Sequence, residues 1–175
     1  MRMRHLPLLL GFLLITLPGL SVPETPEDRL KAAYTLNFAK FVQWDDAGIG
    51  REQLQVCYTE GAAVANVLAD EPPQQLGSRR LVTESVRLPG NVERCQLLFI
   101  HEPDPQRMRR LLATLAELPI LLISDARDFA RHGGMIGLIR SGNKLRFQIN
   151  LAAVRKAGLQ LDATLLDLAA EVIGK

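Results

Sequence analysis

Apolar and polar positions are most sharply patterned between residues 118 and 158. Ile120, Leu121, Leu122 and Ile123 form an unbroken apolar run that ends on Ser124-Asp125. A short strand without polar interruption is one buried on both faces, as in a sheet covered by helices. Ser124 or Asp125 can cap a short helix over 126–131, with Phe129 pointing inward, before Gly133-Gly134 turns the chain. Two strands follow, over 135–140 and 144–150, joined by the hairpin residues Ser141-Gly142-Asn143. In the second strand Leu145, Phe147 and Ile149 share one face, and Lys144, Arg146 and Gln148 share the other. Asn150 caps a further helix that Gly158 ends.

The rest of the chain repeats the theme of strand and helix. Thr25 as cap, Pro26 at the first helical position and two acids after it start a helix expected to run to about Trp44. Leu30, Tyr34, Phe38 and Phe41 stack on one side of it, the pattern of a core face, with Val42 and Trp44 extending that side. A strand over 54–58 carries Cys57, a helix over 62–68 follows, and Glu71-Pro72-Pro73 marks a surface loop. Strands are expected over 81–88 and 95–101, separated by the turn Pro89-Gly90-Asn91. Asp104 and Pro105 then open a helix with Met108, Leu111, Leu112 and Leu115 on one side, and a last helix spans 162–173. The alternation predicts one α/β domain with a mostly parallel sheet, helices on both faces and one antiparallel hairpin.

Charge and the termini narrow the class. Arg2, Arg4 and His5 precede an apolar stretch over 6–20 that Gly11, Pro18 and Gly19 interrupt. This is the form of an export signal, expected over 1–21 with cleavage after Ser21, leaving one domain over 22–175. The stretch is short for a span of about 20 apolar residues, so no stable membrane insertion is expected. Without Arg2 and Arg4, the remaining Lys and Arg balance the 19 Asp and Glu. No basic stripe with interleaved aromatics occurs, which argues against nucleic acid. The export signal places the chain in an oxidising compartment, where Cys57 and Cys95 are expected to pair.

Candidate chemistry is sparse. His101, Glu102 and Asp104 cluster donors at a strand exit, but they read as exit and helix cap rather than as metal ligands. Arg79-Arg80 is a solvated loop end, and His132 sits before Gly133-Gly134 as a turn residue. Ser124 follows a buried strand as a hydrolase nucleophile does, without the flanking glycines of a nucleophile elbow. No glycine-rich phosphate loop is present, so no catalytic residue, metal or cofactor is expected.

Tyr34 to Trp44, Cys95 to Ile100 and Gly133-Gly134-Met135-Ile136, with the stretches given below, together resemble the YfiR-like family of periplasmic proteins. Residues 34–44, YTLNFAKFVQW, resemble its opening helix, and CQLLFI at 95–100 its buried strand. Ser124-Asp125 with Phe129-Ala130, Gly133-Gly134-Met135-Ile136, and Phe147-Gln148-Ile149-Asn150 with Ala157-Gly158-Leu159 complete the series. The resemblance implies a periplasmic α/β domain that binds the sensor region of an inner-membrane diguanylate cyclase. Holding the cyclase inactive would keep cyclic di-GMP low and biofilm formation repressed, with release under reducing or envelope stress. It also implies that Cys57 and Cys95 match the family's structural disulfide, and that the partner surface includes Ile136, Gln148 and Val154. A second cysteine pair of the best-known members falls on Ala130 and Gly137, and Asp45 stands where a proline often follows the tryptophan. A homodimer is compatible with this reading. The alternatives are a periplasmic small-ligand sensor and a hydrolase using Ser124.

Overall fold

A computed structural model describes residues 23–44 and 52–174. The expected export signal over 1–21, its cleavage site and Asp45 lie outside the described residues. The first helix, α1 (Pro26–Phe38), begins with the predicted cap: the Thr25 side chain accepts from the Asp28 amide, and Asp28 accepts from the Thr25 amide at 2.9 Å. It stops at Phe38, earlier than periodicity suggests. A 3-10 turn (Ala39–Phe41) leads into the short strand β1 (Val42–Gln43). That strand pairs antiparallel with β9 (Gln160–Leu161), and the Asp162 amide donates to the Phe41 carbonyl at 2.8 Å. Tertiary pairing thus overrides helical propensity at the β-branched Val42.

Among the described residues the main sheet has eight strands. They are β2 (Gln53–Tyr58), β3 (Gln74–Leu76), β4 (Arg79–Ser85), β5 (Leu97–Phe99), β6 (Leu121–Ser124), β7 (Ile136–Ser141), β8 (Lys144–Asn150) and β10 (Glu171–Ile173). Their order across the sheet is β10-β8-β7-β6-β5-β2-β4-β3. The stretch from β7 to β4 is parallel throughout, while β8 and β3 run antiparallel to β7 and β4. The architecture is therefore the expected α/β domain with a mostly parallel sheet and an antiparallel hairpin. Leu97, Leu98, Phe99, Leu121, Leu122 and Ile123 are all fully buried. Successive strand residues point to opposite faces, so their joint burial means that both faces are covered.

Helices α2 (Ala63–Asp70), α3 (Pro105–Leu115), α4 (Leu151–Lys156) and α5 (Ala163–Leu168) supply the cover together with α1. In α3, Asp104 accepts from the Gln106 amide at 2.8 Å, and Met108, Leu112 and Leu115 face the core. Four expectations need correction. The segment over 126–131 is a run of turns, not a helix, because Asp128 adopts φ of 55° and breaks the helical geometry. The last helix ends at Leu168, and β10 forms instead as a parallel partner of β8. β4 ends at Ser85 rather than Leu88. Finally, the apolar stripe of α1 is core only in part: Phe38 is buried and Tyr34 and Phe41 pack against the core, but Leu30 is exposed and Ala32, Thr35 and Leu36 complete the buried face. Leu30 is 46% exposed and Leu168 55%, and with Tyr34, Phe38, Phe41 and Phe147 they line an open apolar groove.

Cys57 and Cys95 form a disulfide, with Cα atoms 5.7 Å apart. It ties β2 to the segment entering β5, at the middle of the sheet, and neither cysteine is more than 2% exposed. The bridge closes a loop of 38 residues, worth up to about 4 kcal/mol in chain entropy. The double variant Cys57→Ala/Cys95→Ala should unfold at lower denaturant, with a stability loss of about 2–4 kcal/mol. An unchanged midpoint in urea would show that the sheet does not depend on the bridge.

Candidate functional site

The best organised unit of the surface runs from the turn after β6 through β7, β8 and α4. Gly133 takes φ of 100°, a conformation that side chains disfavour. Gly134 has a different reason to be glycine: a Cβ there would lie 2.2 Å from the Phe129 ring. Phe129 is thereby locked beneath the turn. Asn150 fastens the other end, its amide nitrogen donating to the Ala130 carbonyl at 2.8 Å while its side-chain oxygen accepts from the Ala153 amide at 3.0 Å. One side chain thus ties the β6–β7 turn and caps α4.

The residues expected to meet a partner fall in different layers. Ile136 and Val154 are fully buried, so a partner can feel them only through the residues they support. Gln148 is half-buried on the outward face of β8, donating to Glu171 at 2.6 Å. Arg131 donates to both carboxylate oxygens of the same Glu171, at 2.6 and 2.7 Å. Arg131, Gln148 and Glu171 therefore form one polar cluster where β10 lies beside β8. Sequence reasoning misses Arg131 and Glu171 because the pattern over 162–173 predicts one helix and hides the strand that brings Glu171 beside β8. The β-branched pair Val172-Ile173 before Gly174 was the available strand signal. Lys144 and Arg146 are exposed on the same face of β8 as Gln148, and Arg140 on β7 reaches Glu27 at 3.3 Å.

Phe147 lies under this face, with its ring centroid 5.2 Å from that of Phe38 in an edge-on contact and 6.0 Å from that of Tyr34. Ile149 is buried as expected, whereas Leu145 is only half-buried near the hairpin tip. The positions of the family's second cysteine pair come together. An ideal Cβ on Gly137 would stand 3.6 Å from the Ala130 Cβ, within the range that disulfides span.

Ser124 holds no catalytic geometry. Its buried hydroxyl donates to the Ile100 carbonyl at 2.7 Å and accepts from the Ala126 amide at 3.1 Å. Thr59 does similar work one strand over, accepting from the His101 amide at 2.7 Å and donating to the His101 carbonyl at 3.2 Å. Glu102 pairs with Arg107 at 3.1 Å. These side chains pin the carboxyl ends of β2, β5 and β6 to one another. Lys31 of α1 joins them, its ammonium 2.8 Å from Asp125 and 3.2 Å from Glu27. Burial pulls the Lys31 pKa down, but the hydrogen bonds and charges of Asp125 and Glu27 outweigh it and hold the value above the ordinary one.

The fold is a single mixed α/β domain in which the turn after β6, the β7–β8 hairpin and α4 form one tied unit. A family model described as YfiR/HmsC-like matches residues 28–170. The chain belongs to that family, which is regulatory rather than catalytic and whose membership implies interaction with membrane signalling proteins. A search of curated proteins finds no match. No helix among the described residues is long and apolar enough to cross a membrane.

Two outcomes follow from the ties. Because the Lys31 pKa is raised on folding, its stabilisation is complete below the ordinary lysine value of about 10.4 and is lost as pH rises through the higher folded value. Lys31→Met should lower stability by about 1–2 kcal/mol at neutral pH and remove its share of the alkaline decline. Denaturant titrations across pH test both, and a variant with the wild-type alkaline profile would contradict the assignment. Separately, Ala130→Cys/Gly137→Cys should form a second disulfide on oxidation. Its linked peptides would be visible by mass spectrometry without reduction, and two persistently free thiols would refute the juxtaposition.

Proposed function

We propose that this protein is a periplasmic regulator that binds the sensor region of an inner-membrane diguanylate cyclase and holds it inactive. Cyclic di-GMP and biofilm formation would fall as a result. The observation that carries the reading is the family match across residues 28–170. A buried disulfide supports an oxidising compartment, and an export signal over 1–21 is part of the same proposal. The contact is assigned to the unit from Arg131 to Val154 together with β10. Gln148, Glu171 and Arg131 form its outward polar part, and Ile136 and Val154 support that part from the core. Lys144 and Arg146 give the same face a positive margin, which suits an acidic surface on the cyclase.

The test compares two substitutions on one strand. Gln148→Lys keeps a donor beside Glu171 but adds a positive charge to the cluster, and such surface changes usually alter stability by no more than about 0.5 kcal/mol. It should weaken binding to the purified sensor region of the cyclase by about tenfold, the scale of a single interface residue. Phe147→Ala removes a ring from the Tyr34–Phe38 cluster and should lower stability by about 3–5 kcal/mol, abolishing repression through unfolding. Deleting the gene should raise cyclic di-GMP. Unchanged cyclic di-GMP on deletion, with the partner cyclase expressed, would end the repressor reading. Undiminished binding by the folded Gln148→Lys protein would move the contact to another face.

A further inference from the structure

A second feature lies at the carboxyl edge of the parallel sheet. The chain leaving β2 passes through α2 to the β3–β4 pair on one side, and the chain leaving β5 passes through α3 to β6 on the other. Open α/β sheets bind ligands outside the carboxyl ends of strands where the connections diverge in this way. Beside that point, between the β5–α3 loop and the β6–β7 turn, is a cavity of about 330 Å³. His101 stands at the boundary, its ring 3.4 Å from where a Cβ on Gly61 would lie. The volume falls at the lower end of small-molecule sites, about 300–1,000 Å³, which suits one ring and an acid group rather than a nucleotide.

The charges in the lining are unevenly matched. Its two acids are engaged by cations from outside it: Asp125 by Lys31 at 2.8 Å and Glu102 by Arg107 at 3.1 Å. Arg127 has Asp128 at 3.5 Å. Arg109, on the first turns of α3, also lines the cavity and has no hydrogen-bond or ion-pair partner among the described residues. The walls beside it are apolar and fixed. Met108 is 5% exposed, and Phe129, 2% exposed, is held against Gly134. The floor is pinned by the Ser124 and Thr59 bonds to Ile100 and His101. A cavity already held in shape needs little ordering when a ligand enters.

We propose that this cavity binds a small organic anion, a carboxylate or phosphate monoester on a single ring or short hydrocarbon body. Arg109 takes the anionic group, and Met108 and Phe129 hold the apolar body. The assignment stands whether or not the protein represses a cyclase.

Nuclear magnetic resonance titration of the full-length exported protein tests it with four probes: benzoate, phenyl phosphate, inorganic phosphate and benzylamine. Benzoate or phenyl phosphate should shift the amide signals of His101, Arg109, Phe129 and His132 saturably. Preference between the two distinguishes a carboxylate from a phosphate as the natural anion. Arg109→Ala should weaken that binding by about tenfold or more, the loss of one charge-assisted hydrogen bond, with the remaining spectrum unchanged. No saturable shift with either aromatic anion would overturn the proposal, as would equal binding of benzylamine or full affinity in Arg109→Ala. Inorganic phosphate binding as tightly as phenyl phosphate would refute the apolar half of the site.

Discussion

Complete burial of β5 and β6 is the constraint on which the rest of the structure depends. Leu97 to Phe99 and Leu121 to Ile123 expose essentially no surface on either face of the sheet. Burying a large aliphatic side chain is worth about 1.5–3 kcal/mol, so these six residues favour any arrangement that keeps both faces covered. Cover on both faces excludes polar chemistry from the middle of the sheet. What polar groups the strands carry must appear at their ends, where loops can satisfy them. The carboxyl edge of the parallel strands is accordingly where Thr59, His101, Ser124 and Asp125 collect.

Most of these side chains are committed to holding that edge together. Ser124 and Thr59 bond to backbone groups of the adjoining strand, Asn150 spans the β6–β7 turn and α4, and Lys31 anchors α1 to Asp125. An unsatisfied buried polar group costs about 1–3 kcal/mol, so each bond is as much a requirement of burial as a source of rigidity. The outcome is a turn that is stiff without being a helix. On one side of it lies the β7–β8 face with its Arg131–Glu171–Gln148 cluster; on the other lies the cavity beside Arg109. Both features therefore rest on the same set of ties.

The fold was legible because its elements announce themselves locally. Unbroken apolar runs mark the covered strands, Ser141-Gly142-Asn143 marks the hairpin, and the Thr25 and Asp104 caps mark two helix starts. What the chain concealed was decided by contacts distant in sequence. Val42 leaves the helix because β9 offers a strand partner, and β10 forms because β8 has a free edge. The aromatic spacing of α1 predicts a core stripe, which holds for Phe38 and in part for Tyr34 and Phe41, while Leu30 is left exposed and Ala32 and Leu36 take the deeper positions. Asp128 gives no sequence sign of its positive φ. In the unit proposed for contact, alternation alone places Gln148 on the outward face. Ile136 and Val154 came from resemblance, which does not carry depth, and they sit in the core.

Hydrogen exchange tests the assignment of the contact face most directly, by comparing the free protein with its complex with the sensor region of the cyclase. The outward residues of β8 and the edge strand β10 adjoin through the Gln148–Glu171 pair, so amides over 131–150 and 169–174 should slow together on binding. Protection confined to α2, β3 and β4, at the opposite edge of the sheet, would contradict the account.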